Sequence, residues 1–139
     1  MKLKSHVLAS IIFSTLFFMI FKSWMISVSS FLSGVLIDID HIIDYYREHG
    51  INLRIKQFFE VCHNTKLSSV WIIFHSWELL VILSIYAFSM SWDPWIVGLT
   101  IGFTQHIVLD QFFNKTNKLT YLFFWRLKNG FNVKKIFRY

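Results

Sequence analysis

Eight side chains in this chain of 139 residues combine metal-ligating chemistry with spacings that let them converge: His6, Asp38, Asp40, His41, His75, Glu78, His106 and Asp110. Asp38 and His41 lie three positions apart, as do His75 and Glu78, and His106 precedes Asp110 by four, so each pair shares one face of a helix. Metal sites in bundle cores are built from such short carboxylate and histidine motifs on facing helices. Histidine with carboxylate and no thiolate suits zinc, manganese or iron, and zinc is the default where nothing indicates redox chemistry. The expected ligands are His6, Asp38, His41, His75, His106 and Asp110. Because they exceed four, either some orient the ligating imidazoles or two divalent ions share the site. Asp40 points off the Asp38–His41 face of an ideal helix, and with Glu78 it is a carboxylate that could accept a proton from an activated water.

Other polar residues carry less. His49 and His63 lie among polar loop residues and read as solvated, Asp44 and Glu60 as surface charges, and Asp93 with Pro94 as a short outer loop. The single cysteine, Cys62, rules out an internal disulfide or a thiolate cluster and reads as structural.

The elements that must position these residues are membrane helices. A hydrophobic content of 55% and a mean hydropathy of +0.49 are too apolar for an ordinary soluble fold, and 1 Pro and 5 Gly favour long helices over turn-rich strands. Four apolar stretches, about 5–21, 24–45, 70–90 and 95–113, approach the roughly 20 residues that a span requires. The expected fold is an all-α integral membrane protein, a four-transmembrane-helix bundle forming one polytopic domain over 1–139. Short interfacial helices are expected in 46–69 and 119–139, where aromatics mix with Lys and Arg and would meet anionic headgroups. The second stretch reaches spanning length only if Asp38, Asp40 and His41 continue it, so its polar end should be shielded from lipid. Ser30 with Gly34, and Gly98 with Gly102, are small pairs suited to close helix packing.

Lys2 and Lys4 before a short apolar run resemble a secretory signal, but no small-x-small cleavage site follows, and the run reads as a retained first span. With both termini cytoplasmic, every Lys and Arg except Lys22 falls inside, as the charge rule for insertion demands. The same topology brings all eight candidate residues to the cytoplasmic half of an inner-type cell membrane. The net charge of +6 is spread between apolar runs and through an aromatic tail, so lipid rather than nucleic acid is the expected partner.

Asp38-Ile39-Asp40-His41 after Ser33-Gly34, the His75-Ser76 step, and Gln105-His106 running to Asp110 together resemble a known family. It is that of the small membrane-bound metal-dependent hydrolases of bacteria and archaea, the LexA-binding, inner-membrane-associated hydrolase (YdjM-type) family. The resemblance runs from His6 to Asp110 and implies that Asp38, Asp40, His41, His75, His106 and Asp110 form the metal site. It departs where His63 is followed by Asn64, well upstream of His75, in place of a His-Arg step before the third span.

The expected activity is metal-dependent hydrolysis of a lipid or lipid-linked phosphate or ester at the cytoplasmic leaflet. No Gly-x-Ser-x-Gly elbow or phosphate-cradling glycine loop supports a serine nucleophile or nucleotide hydrolysis. Two alternatives remain: a haem-binding four-helix electron carrier, against which the carboxylates argue, and a metal or ion transporter, against which the nearly uncharged outer halves of the spans argue. The topology predicts that cysteines introduced near Arg54 and in the C-terminal tail resist membrane-impermeant thiol reagents applied to intact cells. Labelling of either from outside would reverse the orientation.

Overall fold

The computed structural model describes residues 3–51, 54–63, 67–114 and 116–137. Lys2, Asn64, Lys66, Lys115, Arg138 and the side chain of His63, all used above, lie outside the described residues. Those described are helical or irregular, with two isolated β-bridges, Ser69 with Asn132 and Thr116 with Phe137. The helices are α1 (Leu3–Phe21), α2 (Trp24–Leu36), α3 (Asp40–His49), α4 (Ile55–His63), α5 (Trp77–Ser89), α6 (Pro94–Phe113), α7 (Phe123–Lys128) and α8 (Val133–Ile136). A single 3-10 turn, Ile37–Ile39, separates α2 from α3. The chain forms two compact units: unit 1 is Met1–Ile37 with Trp77–Asn114, and unit 2 is Asp38–Ser76 with Lys115–Tyr139.

In unit 1, α2 packs on α1 and on α6, α5 packs on α6, and α1 also touches α6. The burial pattern inverts that of a water-soluble bundle. The buried residues of α1 are His6, Ser10 and Ser14, one per turn, and those of α2 include Ser29, Ser30 and Gly34. Large apolar groups face outward, with Leu8, Ile12, Ile20, Ile82, Ile85 and Phe88 all exposed. Small polar residues inside and aliphatics outside suit helices solvated by lipid, where hydrophobicity drives no helix–helix contact and close backbone approach does.

Among the described residues, three helical stretches are long and apolar enough to cross a membrane: Leu3–Phe21, Trp24–His49 and Pro94–Phe113. Two of them match the expected spans to within two residues at each end, and the second continues four residues past its expected limit. The expected third span, 70–90, is helical only over the 13 residues Trp77–Ser89. At 1.5 Å per residue that helix is about 20 Å long, short of a hydrocarbon core of roughly 30 Å. Pro94 opens α6 at its first turn, and Asp93 caps it by accepting the amides of Trp95 and Ile96.

The glycine pairs have the packing role expected of them. A β-carbon on Gly98 would collide with the Ile26 backbone and Ser29, and one on Gly102 with the Ser30 carbonyl. Only glycine at these two positions lets α6 lie this close to α2.

Unit 2 has a core of Tyr45, Val61, Leu67, Val70, Ile72 and Val133, against which Tyr46, Phe58 and Phe137 pack. The C-terminal segment is woven into it by backbone bonds in both directions: the Val70 amide donates to the Phe131 carbonyl at 2.9 Å and the Val133 amide to the Ser68 carbonyl at 3.3 Å. The tail expected as an interfacial helix thus contributes two short helices and part of this core. Gly98→Leu and Gly102→Leu are each expected to cost about 1–3 kcal/mol or more through overpacking, whereas Leu8→Val, at an exposed position, stays within about 0.5 kcal/mol. Thermal unfolding in detergent reads the difference, and wild-type stability in both glycine variants would contradict the α2–α6 contact.

Candidate metal centres

Six of the expected site residues fall into two groups of three, each contained in one unit: His6, His106 and Asp110 in unit 1, and Asp38, His41 and His75 in unit 2. Either group could hold a metal ion, since one ligand atom from each member lies within 4.8 Å of the others.

The unit 1 group is sealed, with all three residues no more than 4% exposed. His106 sits on α6 with its Nδ1 2.8 Å from the Gly34 carbonyl. A carbonyl only accepts, so Nδ1 carries the proton and Nε2 is the nitrogen left for a cation. That Nε2 lies 3.7 Å from Asp110 Oδ2, and the other carboxylate oxygen is 2.9 Å from His6 Nε2. The His6 and His106 rings stack at 3.9 Å with an interplanar angle of 10°. His6 Nδ1 is buried and has no hydrogen-bond partner among the described residues. One buried carboxylate held between two imidazoles calls for a compensating positive charge, such as a metal ion.

The unit 2 group is built differently. Asp38 Oδ1 lies 3.4 Å from His75 Nε2 and 3.6 Å from His41 Nε2, with the side chains of Asp38 and His41 21% and 30% exposed. These spacings are long for a charge-assisted hydrogen bond, which favours about 2.7–2.9 Å. They suit two ligands of one ion, because bonds of about 2.0–2.1 Å at a tetrahedral angle separate their donor atoms by about 3.4 Å. On the far side of the ring, His75 Nδ1 is 3.0 Å from Asp40 Oδ2, which also accepts the Phe74 amide at 2.9 Å. Asp40 is therefore the acceptor and Nδ1 the donor, which leaves Nε2 as the nitrogen turned toward Asp38. Asp40, expected to point off the Asp38–His41 face, is 2% exposed and orients the His75 imidazole.

The segment carrying His75 is held by a row of acids on α3. Glu48 accepts the Ser68 amide, Asp44 accepts the amides of Trp71 and Ile72 at 2.9–3.0 Å, and Asp40 accepts that of Phe74. These acids recur every fourth residue, so one face of α3 presents them in register to an extended stretch of backbone. Asp44, expected as a surface charge, is 1% exposed and is also paired with Arg47 at 3.0 Å. The shared helix face expected for His75 and Glu78 is absent, because His75 lies in a bend before α5 begins at Trp77. Asp44 and Asp40 take the amides of Trp71, Ile72 and Phe74, and Ile72 adopts a left-handed φ of 34° that a β-branched residue rarely accepts. Glu78, in the first turn of α5, belongs to neither group of three.

Arg126, expected to reach toward headgroups, is fully buried. Its Nη1 donates to the carbonyls of His75 at 2.7 Å and Thr120 at 3.0 Å, and Nη2 to that of Ile72 at 3.0 Å. Asp44 had a legible signal in its spacing from Asp40 and Glu48. Arg126 had none, since its neighbours are equally basic and aromatic. His49 is exposed, as expected, and stacks on Tyr45 at 4.7 Å. Burial pushes the Cys62 thiol up to about 12, with Asp44, Asp38 and Asp40 adding to the effect, so it stays neutral at physiological pH, in keeping with a structural role.

No family model, curated protein or solved structure matches this chain. What fold and sites define is a class: a helical protein with, among the described residues, three apolar helices of membrane-crossing length and two histidine–carboxylate groups able to hold a metal ion. Asp44→Ala is expected to leave two buried amides without an acceptor, at about 1–3 kcal/mol each, and to raise hydrogen exchange at 71–74. Glu60→Ala, at an exposed position, should change stability by no more than about 0.5 kcal/mol.

Proposed function

We propose that the protein is a membrane-embedded metal-dependent hydrolase that acts on a lipid or lipid-linked phosphate or ester at the cytoplasmic leaflet of the inner membrane, with four crossings and both termini inside. The observation that carries this reading is the partly open Asp38–His41–His75 group. Two imidazole Nε2 atoms face one carboxylate oxygen at the separation of co-ligands, one of them fixed from behind by Asp40. Three protein ligands with residual exposure are the arrangement of a catalytic site, in which a coordination position stays open, whereas structural sites are closed. A bound divalent ion, with zinc the first choice and manganese or iron next, would supply Lewis acidity that activates water and polarises the scissile group.

The chain's own residues divide the remaining work. Asp40 keeps the His75 ring in the tautomer that leaves Nε2 unprotonated. Of the two carboxylates expected to take a proton, Asp40 is committed to His75 and Phe74, and Glu78 lies in unit 1. The excess positive charge of the sequence falls wholly in unit 2, with eleven Lys and Arg against five carboxylates, while unit 1 has three of each. Exposed Lys118, Lys128, Lys134 and Lys135, with exposed Phe124 and Leu127, suit an anionic headgroup beside acyl chains. The resemblance to the membrane-bound hydrolase family supports the same reading. The parallel stacking of His6 on His106 counts against the haem-carrier alternative, because two axial ligands approach an iron from opposite faces.

Elemental analysis of detergent-purified protein, together with hydrolysis assays on a panel of lipid phosphates and esters, tests this. His41→Ala and His75→Ala should lose metal, Asp40→Asn should bind it about 10–100-fold more weakly, and His49→Ala should be unaffected. Full metal retention by both His→Ala variants would rule out the site.

A further inference from the structure

We infer that Arg126 is a positioning residue for the metal ligand His75: a buried guanidinium from the C-terminal segment fixes the backbone on which His75 is mounted before any metal arrives. This rests on reading Asp38, His41 and His75 as a metal site.

Two sets of groups grip the 72–75 backbone from opposite chemical sides. Its amides donate to carboxylates of α3, Ile72 to Asp44 and Phe74 to Asp40. Its carbonyls accept from Arg126, Ile72 from Nη2 and His75 from Nη1. Ile72 is therefore held at both its N–H and its C=O by ionic side chains, and it is the residue in the left-handed conformation. A β-branched residue persists there only where its surroundings over-determine it. Left to itself, the segment would relax toward an ordinary backbone and carry the His75 ring away from Asp38.

The planar fork of arginine explains the residue type. Three carbonyls, those of Ile72, His75 and Thr120, are met by two nitrogens of one rigid group. A lysine ammonium is a single donor centre on a flexible stem and cannot span all three with the same geometry. The buried position is costly for a cation unless carbonyl dipoles satisfy it, and a purely interfacial basic residue would have stayed in water. The C-terminal segment thus reaches the ligand through one side chain that sequence alone groups with the surface cations.

Cobalt(II) serves as the probe, because its d–d absorption reports ligand number and geometry. Full-length wild-type protein, Arg126→Lys, Arg126→Gln and Val133→Ala are titrated in detergent, with helix content and elution volume confirming folding. Val133 is a buried core residue of unit 2 and controls for general destabilisation. The expected result is a Co(II) affinity about tenfold or more weaker, with an altered spectrum, in whichever Arg126 variants fold, and a wild-type spectrum with a lower Tm in Val133→Ala. A folded Arg126 variant with wild-type spectrum and an affinity within twofold would overturn the inference. So would a Val133→Ala spectrum shifted as far as theirs.

Hydrogen exchange on the metal-free wild-type protein tests, independently of any variant, whether the segment is ordered before metal binds. The Ile72 and Phe74 amides should already be protected, and protection that appears only on adding Co(II) would mean that the metal, not Arg126, orders the segment. If wild-type protein gives no Co(II) spectrum that His75→Ala removes, the metal-site reading itself fails, and that outcome is distinct from failure of the Arg126 role.

Discussion

Asp44 accepts two consecutive backbone amides, from Trp71 and Ile72, with its carboxylate almost entirely removed from solvent. A buried anion must be matched by donors, and these amides match it together with the Arg47 guanidinium at 3.0 Å. The consequences spread in both directions along the chain. Residues 71–72 are thereby tied to α3, just ahead of the bend that carries His75 and of α5, which begins at Trp77. Asp40, one turn earlier on α3, then finds the Phe74 amide and the His75 ring within reach. The position of His75 therefore depends on an acid that is not itself near the head of the candidate ligands.

Unit 1 obeys a different constraint. Ser10, Ser14, Ser29 and Ser30 turn inward while Leu8, Ile12, Ile20 and Ile82 turn outward, a pattern that suits helices with no water around them to satisfy a stray polar group. Gly34 serves twice in this unit. Lacking a side chain, it allows Ser10 Oγ to approach where a β-carbon would sit only 2.6 Å from it, and its carbonyl fixes the tautomer of His106. Close packing and histidine chemistry are thus coupled through one residue of α2.

The two histidine groups share one logic and differ in access. In each, an imidazole is tied by Nδ1 to an acceptor, Gly34 for His106 and Asp40 for His75, so that Nε2 is directed at a carboxylate. In unit 1 the trio is sealed and one contact has already closed to hydrogen-bond length, between His6 and Asp110. In unit 2 the contacts stay at 3.4 and 3.6 Å and two of the three side chains retain exposure. That difference is why the chemistry is assigned to unit 2.

Much of this was legible in local periodicity. The apolar runs that became α1, α2 and α6, the glycine pair Gly98 and Gly102, and the four-residue spacing of His106 and Asp110 are properties of single helices, which sequence spacing encodes directly. The grouping of Asp38 with His41 belongs to the same kind. What sequence did not determine is where His75 sits, that Asp44 and Arg126 are buried, and that the expected ligands divide between two units. Asp44 meets its amides 27 and 28 residues away, and Arg126 meets its carbonyls at Ile72 and His75 54 and 51 residues away. Composition gives both residues the look of surface charges, because a charge is normally cheapest in water. Only the tertiary structure supplies the dipoles and partner charges that make burial the lower-energy choice, and these come from backbone groups, which carry no signature in a sequence.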